Sequence, residues 1–228
     1  MSLSGGHVVQ FILCLAITRG RHSASDFTAK KLKSLQETWP SYHEETSLDV
    51  GYNVITEIGA TESDCANSPL ESLDLRSNQI SQIETDSFRT CNLTLLHLQF
   101  NQLTAFPDLW NIRDTLQNLR VNNNRIVSVG VSDISFLEQL VSLSMGENPI
   151  TSFPDLISHL PAIQDFGITE IKFNCCRDYA WMKKTAHLTT RIDLKPCAYP
   201  AKWVARSLKS LEYDDLLQEP CRFKTKEL

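Results

Sequence analysis

Seven cysteines and six histidines carry most of the reactive chemistry available to this chain. The histidines, His7, His22, His43, His97, His159 and His187, show no metal spacing such as H-E-x-x-H. Cys175, Cys176, Cys197 and Cys221 could in principle hold zinc, but zinc sites favour cysteine pairs two to four residues apart, and an adjacent pair fits that poorly. There is no G-x-S-x-G, and eight glycines supply no phosphate-cradling loop. Enzymatic chemistry needs a convergent nucleophile, base and charge stabiliser, and none is legible. The sequence therefore predicts no enzyme, no cofactor and no metal. What it does offer is a set of side chains suited to recognition: Arg76, Leu95, His97, Phe100, Arg120 and Asn122. Aromatic and arginine side chains flanked by apolar and polar neighbours are the usual anchors of interfaces.

Those six residues fall at fixed places in a pattern, L-x-x-L-x-L-x-x-N-x-I/L-x-x-I/F/V, that returns every 23 to 25 residues. It reads at Leu70, Leu73, Leu75, Asn78, Ile80 and Ile83; at Leu93, Leu96, Leu98, Asn101, Leu103 and Phe106; at Leu116, Leu119, Val121, Asn124, Ile126 and Val129; and at Leu140, Leu143, Met145, Asn148, Ile150 and Phe153. A period of this length means stacked coils that bury one another's apolar rows. Leucines two apart, such as Leu73 and Leu75, point to the same side of a strand, and that side is the interior. The residues between them face outward in columns: Asp49, Asp74, His97, Arg120, Ser144 and Gly167; then Gly51, Arg76, Gln99, Asn122, Gly146 and Thr169; then Tyr52, Ser77, Phe100, Asn123, Glu147 and Glu170. Leu95 joins the column on the other side. Phe100 is either an interface anchor or a single exposed apolar residue packed on its neighbours.

The asparagines have a structural task. A short amide can satisfy backbone groups where the chain leaves the strand and turns, so Asn78, Asn101, Asn124 and Asn148 read as a stacked ladder. Weaker repeats lie at both ends. Upstream, Leu48, Val50, Asn53, Ile55 and Ile58 fit, with Glu45 in a leucine place; downstream, Ile163, Phe166 and Ile168 fit, with Ile171 in the asparagine place. Phe106-Pro107-Asp108-Leu109 recurs as Phe153-Pro154-Asp155-Leu156, where the proline should start the convex segment as a tight turn rather than a strand.

Residues 45 to 171 resemble the extracellular leucine-rich repeat, and residues 173 to 221 resemble the cysteine-rich segment that closes such arrays. The matching cap residues are Phe173, Asn174, Cys175, Cys176, Trp181, Cys197, Pro200 and Cys221. The resemblance implies an α/β leucine-rich repeat solenoid: a right-handed arc with short parallel strands on the concave face and a disulfide-bonded C-terminal cap. It also implies bonds from Cys175 to Cys197 and from Cys176 to Cys221. One departure is that the first two cap cysteines are adjacent, where the family usually places one residue between them. Cys65 and Cys91 are separated by close to one repeat, which places them near each other on adjacent coils, and a third bond between them is expected, with two buried thiols on the convex side as the alternative.

The first 25 residues read as a secretory leader: Val8 to Ile17 is apolar, and Ser23-Ala24-Ser25 supplies small residues for cleavage. No Lys or Arg precedes the apolar stretch, whereas Arg19 and Arg21 follow it. The expected organisation is a leader over 1–25, an N-terminal cap segment over 26–44, about six repeats over 45–172, a cysteine-rich cap over 173–221 and a polar tail over 222–228. In the N-terminal segment, Ala29 to Gln36 reads as a short amphipathic helix through Leu32 and Leu35, and Trp39-Pro40 as cover for the first coil. Asn92-Leu93-Thr94 is a glycosylation sequon.

Loss of the leader removes two arginines and no acid, so the formal charge moves from −5 to −7. That balance offers no electrostatic footprint for nucleic acid, and no later segment is apolar enough to insert in a membrane. Two functions follow as expectations. The first is a secreted, non-catalytic recognition module that binds a protein or glycan ligand through its concave face. The second is a truncated or decoy receptor ectodomain that associates with a longer membrane-bound relative. The oligomeric state is not legible.

Overall fold

The computed structural model describes residues 24–37, 45–60, 65, 68–185, 188–193 and 195–221. Each repeat places its leucine pair on a short strand, and the strands stack side by side in one parallel sheet. That sheet runs β1 (Ala24–Asp26), β2 (Ser47–Asp49), β4 (Ser72–Asp74), β6 (Leu95–His97), β7 (Asn118–Arg120), β8 (Ser142–Ser144), β9 (Asp165–Ile168) and β11 (Thr189–Ile192). The register is one repeat per step: Leu48, Leu73, Leu96, Leu119, Leu143 and Phe166 stand opposite one another in turn. All six are fully buried, as are Val50, Leu75, Leu98, Val121, Met145 and Ile168 in the next row. Burying one such side chain is worth about 1.5–3 kcal/mol, and no coil could shield its row without its neighbours.

The asparagine ladder joins coil to coil. Asn101 Nδ2 donates to Leu98 O at 3.1 Å in its own coil and to Leu75 O at 3.0 Å in the coil before, while its Oδ1 accepts from Ile80 N at 2.9 Å. Asn78, Asn124 and Asn148 repeat this arrangement. Asn53 extends it toward the N-terminus, with Oδ1 accepting from both Lys30 N and Leu32 N.

Two strands of the sheet lie outside the six repeats read from the sequence. Strand β1 pairs with β2, and β11, which belongs to the cap, pairs with β9. Neither carries the leucine signature: Ser25 stands opposite Leu48, and Thr190 opposite Phe166. The expected helix over Ala29–Gln36 does not form. Ala29 and Lys31 have φ of 55° and 62°, and only a 3-10 turn at Leu35–Glu37 remains. The cause lies in the next coil. Ala29 N donates to Gly51 O, and Asn53 fixes the backbone of residues 30 and 32, which holds this segment on a coil path instead of a helical one. Of the expected leader, residues 1–23 lie outside the described residues, and Ala24 and Ser25 sit in β1. Trp39, Pro40 and the tail over 222–228 also lie outside them.

The convex side follows the local sequence. Strands β3 (Glu57–Ile58) and β5 (Gln82–Ile83) pair with each other. The next coil carries Phe106-Pro107, and a proline cannot donate to a ladder. There the chain forms a 3-10 turn at Trp110–Ile112, with Asp108 Oδ1 accepting from Trp110 N. Helix α1 (Val131–Ile134) follows in the next coil, where Asp133 accepts from Gly130 N. In the second Phe-Pro-Asp-Leu segment Asp155 caps helix α2 (Leu156–His159) by accepting from Ile157 N and Ser158 N. The proline blocks the strand and the aspartate starts the turn.

The cap covers the end of the core with aromatic rings. Strands β10 (Phe173–Asn174) and β12 (Cys197–Tyr199) pair, a 3-10 run spans Arg177–Lys184, and helix α3 (Tyr213–Gln218) packs on that run. Phe153, Phe173, Tyr179 and Trp181 form one cluster with centroid separations of 4.8–6.3 Å. Tyr179 Oη also accepts from Phe153 N, tying the last full repeat to the cap.

Candidate concave-face recognition site

The outward residues of β4, β6 and β7 form the most heavily functionalised part of the sheet face. Each strand is only three residues long, so the first two columns lie on or just after the strands. The third lies at the bend beyond them: Tyr52, Ser77, Phe100, Asn123, Glu147 and Glu170 all have φ between 54° and 59°. Phe100 is thus presented by a left-handed turn, and it is 55% exposed.

Two aspartates, an arginine and a histidine from three coils are joined at the N-terminal side of this surface. Arg76 lies 3.4 Å from Asp49 and 3.4 Å from Asp74, and His97 Nδ1 lies 3.2 Å from Asp74 Oδ2. Asp74 Oδ1 accepts from Arg76 N, and the Arg76 guanidinium sits over the Tyr52 ring at 5.5 Å. Burial alone would raise the Asp74 carboxyl. The hydrogen bonds from His97 and from Arg76 N, with the two adjacent cationic groups, outweigh that and hold it below its ordinary value.

Next to this network the surface is open. Arg120 is exposed on β7, opposite His97 and Ser144 in register, and Asn122 is half-buried with Nδ2 donating to Asn123 Oδ1 at 2.7 Å. Asn123 in turn donates to Glu147. Leu95 is half-buried on β6. Among the enclosed side-chain atoms of the described residues that have no hydrogen-bond partner are Arg76 Nε, His97 Nε2 and Gln99 Oε1.

Toward the cap two coils approach closely at Gly146. A Cβ on Gly146 would lie 2.6–2.8 Å from Thr169 atoms, so only glycine allows these coils to approach. Beyond it Asp165 accepts from Ser142 Oγ and from Arg191, each at 2.8 Å. Asp193 pairs with Lys172 at 2.6 Å; burial opposes but does not offset that cation and the Glu170 N–H, and the carboxyl lies below its ordinary value.

The structure brings Arg76, Leu95, His97, Phe100, Arg120 and Asn122 onto one face. It does not bring them into one hydrogen-bonded cluster: Arg76 and His97 belong to the ionic network, and Arg120 and Asn122 stand beside it. Sequence reasoning set Asp49, Asp74 and Tyr52 in columns without seeing that they bind Arg76. Aspartates one repeat apart, with an arginine two residues after the second, were the available signal. Asp165 with Arg191 was hidden because Arg191 lies on a strand without the repeat pattern.

Away from this face, disulfides join Cys65 to Cys91, Cys175 to Cys197 and Cys176 to Cys221. Asn92 is exposed where the chain enters a strand. A cleft of about 370 Å³ between α2 and the cap is lined by Asp155, Ile157, Arg177, Trp181, Lys184 and Leu217, among others. Among the described residues no helix is long and apolar enough to cross a membrane.

Comparison with known proteins agrees with this architecture. A Leucine Rich repeat family model matches residues 66–82. The chain is 28% identical over 161 residues to Leucine-rich repeat and fibronectin type III domain-containing protein 1 of Danio rerio, which is 62% of this chain and 26% of that protein. It is 40% identical over 82 residues to Leucine-rich repeats and immunoglobulin-like domains protein 2 of Mus musculus, covering 35% of this chain and 8% of that protein. It is 28% identical over 137 residues to Tsukushi of Gallus gallus, covering 58% and 37%. The chain therefore spans well under half the length of each. Stacked parallel strands, the asparagine ladder and the disulfide-closed end agree with these matches: the chain folds as a leucine-rich repeat solenoid closed at its C-terminal end by a disulfide-bonded cap.

Proposed function

We propose that this chain is a non-catalytic recognition module of the secretory pathway that binds a protein ligand through its concave face, centred on Phe100 and Arg120. The observation that carries this reading is an exposed phenyl ring at the bend after β6 and an exposed guanidinium on the adjacent strand β7. Rigid presentation lowers the entropic cost of binding, and aromatic and arginine side chains supply most of the energy at interfaces. Export is supported by three disulfides and by an exposed sequon at Asn92. A glycan ligand on the same surface is the variant reading.

A second reading is favoured by the short coverage of the relatives. Two of them, by name, combine leucine-rich repeats with fibronectin type III or immunoglobulin-like domains, and this chain matches 26% and 8% of their lengths. On that reading the module acts as a receptor ectodomain or decoy beside a longer membrane-bound relative. A full-length transcript encoding a membrane span beyond Leu228 supports it.

The test of the concave face is a glycan wedge. Arg120→Asn with Asn122→Thr creates a sequon at the centre of the face, and Arg125→Asn with Val127→Thr creates one on exposed positions outside it. The purified, secreted chain is applied to an array of cell-surface and matrix ectodomains. Binding lost in the first variant and kept in the second supports the concave face. Binding kept in the first, or lost equally in both, overturns it.

A further inference from the structure

We infer that the partner presents a carboxylate side chain to Arg120 with an apolar side chain beside it on Phe100; this rests on the concave-face reading and specifies its chemistry. The first observation is a charge left over. The other cations of this face are already matched: Arg76 by Asp49 and Asp74, Arg191 by Asp165, and Lys172 by Asp193. Among the described residues, Arg120 is exposed with no carboxylate within 4.0 Å. Its register neighbours cannot neutralise it: Ser144 is uncharged, and His97 is already committed through Nδ1 to Asp74. An isolated guanidinium in a chain of net charge −5 is a local positive centre, and its planar fork matches a carboxylate.

The second observation is independent of charge. The left-handed bend carries Tyr52, Ser77, Asn123, Glu147 and Glu170 in the other coils and Phe100 in the coil beside Arg120; the Tyr52 ring already has the Arg76 guanidinium over it at 5.5 Å. A bulky aromatic residue at positive φ is disfavoured, and exposure of its ring to water adds to the cost. Phe100 carries both, at φ 59° and 55% exposure. Covering that ring with an apolar side chain recovers the second. A carboxylate with an apolar side chain beside it is the chemistry of an acidic protein segment, whereas a sialylated glycan supplies the first without the second.

The test uses small probes on the whole ¹⁵N-labelled chain. 3-Phenylpropionate, 3-phenylpropanamide and N-acetylneuraminic acid are titrated in turn, and backbone amide shifts are followed. The expected result is a saturable response at residues 95–100 and 118–122 to phenylpropionate. It should be at least fivefold weaker for the amide, fall to the amide level in Arg120→Gln, and fall for both phenyl probes in Phe100→Ala. Equal response to acid and amide, an undiminished response in Arg120→Gln, or no response at these residues overturns the proposal. A response to N-acetylneuraminic acid alone does so as well, in favour of a glycan. The glycan-wedge result is read separately, so a face that binds without selecting a carboxylate is recognised as such.

Discussion

His97 Nδ1 lies 3.2 Å from Asp74 Oδ2, so one imidazole and one carboxylate on adjacent coils hold the middle of the sheet face in a single arrangement. The same carboxylate lies 3.4 Å from Arg76, which reaches back to Asp49 in the coil before. Three consecutive coils are cross-linked by polar side chains on the side opposite the leucine core.

This relationship sets a pH dependence. The Asp74 carboxyl is held below its ordinary 3.8 in the folded chain, so it contributes stability above that value and loses it as pH falls through the lowered one. Asp193 is shifted in the same direction and adds to the same window. Urea midpoints measured from pH 7 to pH 2 should fall steeply below about pH 4. In Asp74→Asn the midpoint at pH 7 should be lower and the acid limb shallower. Parallel curves for the two proteins would remove Asp74 from the account.

The asparagine ladder makes a larger claim on stability. Asn101→Ala removes the partners of Leu75 O, Leu98 O and Ile80 N, all in the buried interior. The expected loss is about 3 kcal/mol, and the melting temperature should drop by about 6–12 °C. Asn101→Asp, which turns a buried carboxylate oxygen toward Leu75 O and Leu98 O, should fall below alanine at pH 7. Calorimetry of the three proteins checks the order.

Close approach at Gly146 predicts a contrast between two alanine substitutions. The added methyl of Gly146→Ala would meet both backbone and side chain of Thr169 below 3 Å, and should cost about 1–3 kcal/mol. At Gly130 the nearest atom would be Asp133 Oδ2 at 3.4 Å, and Gly130→Ala should change stability by less than about 0.5 kcal/mol. Chemical denaturation of both measures the difference, and equal values would show that the coils can slide apart.

The cap bond between Cys176 and Cys221 closes a separation of 45 residues and fastens the end of α3 beside the aromatic cluster. Replacing both cysteines by serine should cost about 4 kcal/mol. Limited proteolysis should then cut first within residues 201–221. Cleavage first inside the repeats would show that the cap holds without this bond.

The repeats were legible because their interior rows obey one spacing: Leu73, Leu96, Leu119 and Leu143 have the same neighbours and therefore the same residue type. The end coils were harder to read. Ser25 and Thr190 line up with those leucines but are polar, since the outermost coil has a neighbour on one side only. Left-handed turns at Ala29 and Lys31 were invisible, because neither is the glycine or asparagine that usually announces one. On the concave face the columns could be written from the sequence, but not the contacts. Arg76 reaches Asp49 across a coil boundary and two positions along the strand, an offset set by side-chain length and not by the repeat.

Because Asn78, Asn101, Asn124 and Asn148 each fasten their turn to the one before it, tension applied between the two ends of the molecule would load these amides one after another, like links in a chain. The inward leucines alone could slip past each other under such a load; the tethers forbid it. A partner that grips Phe100 and Arg120 while being pulled on would therefore meet an unyielding ruler, whose marks keep their spacing until a link breaks.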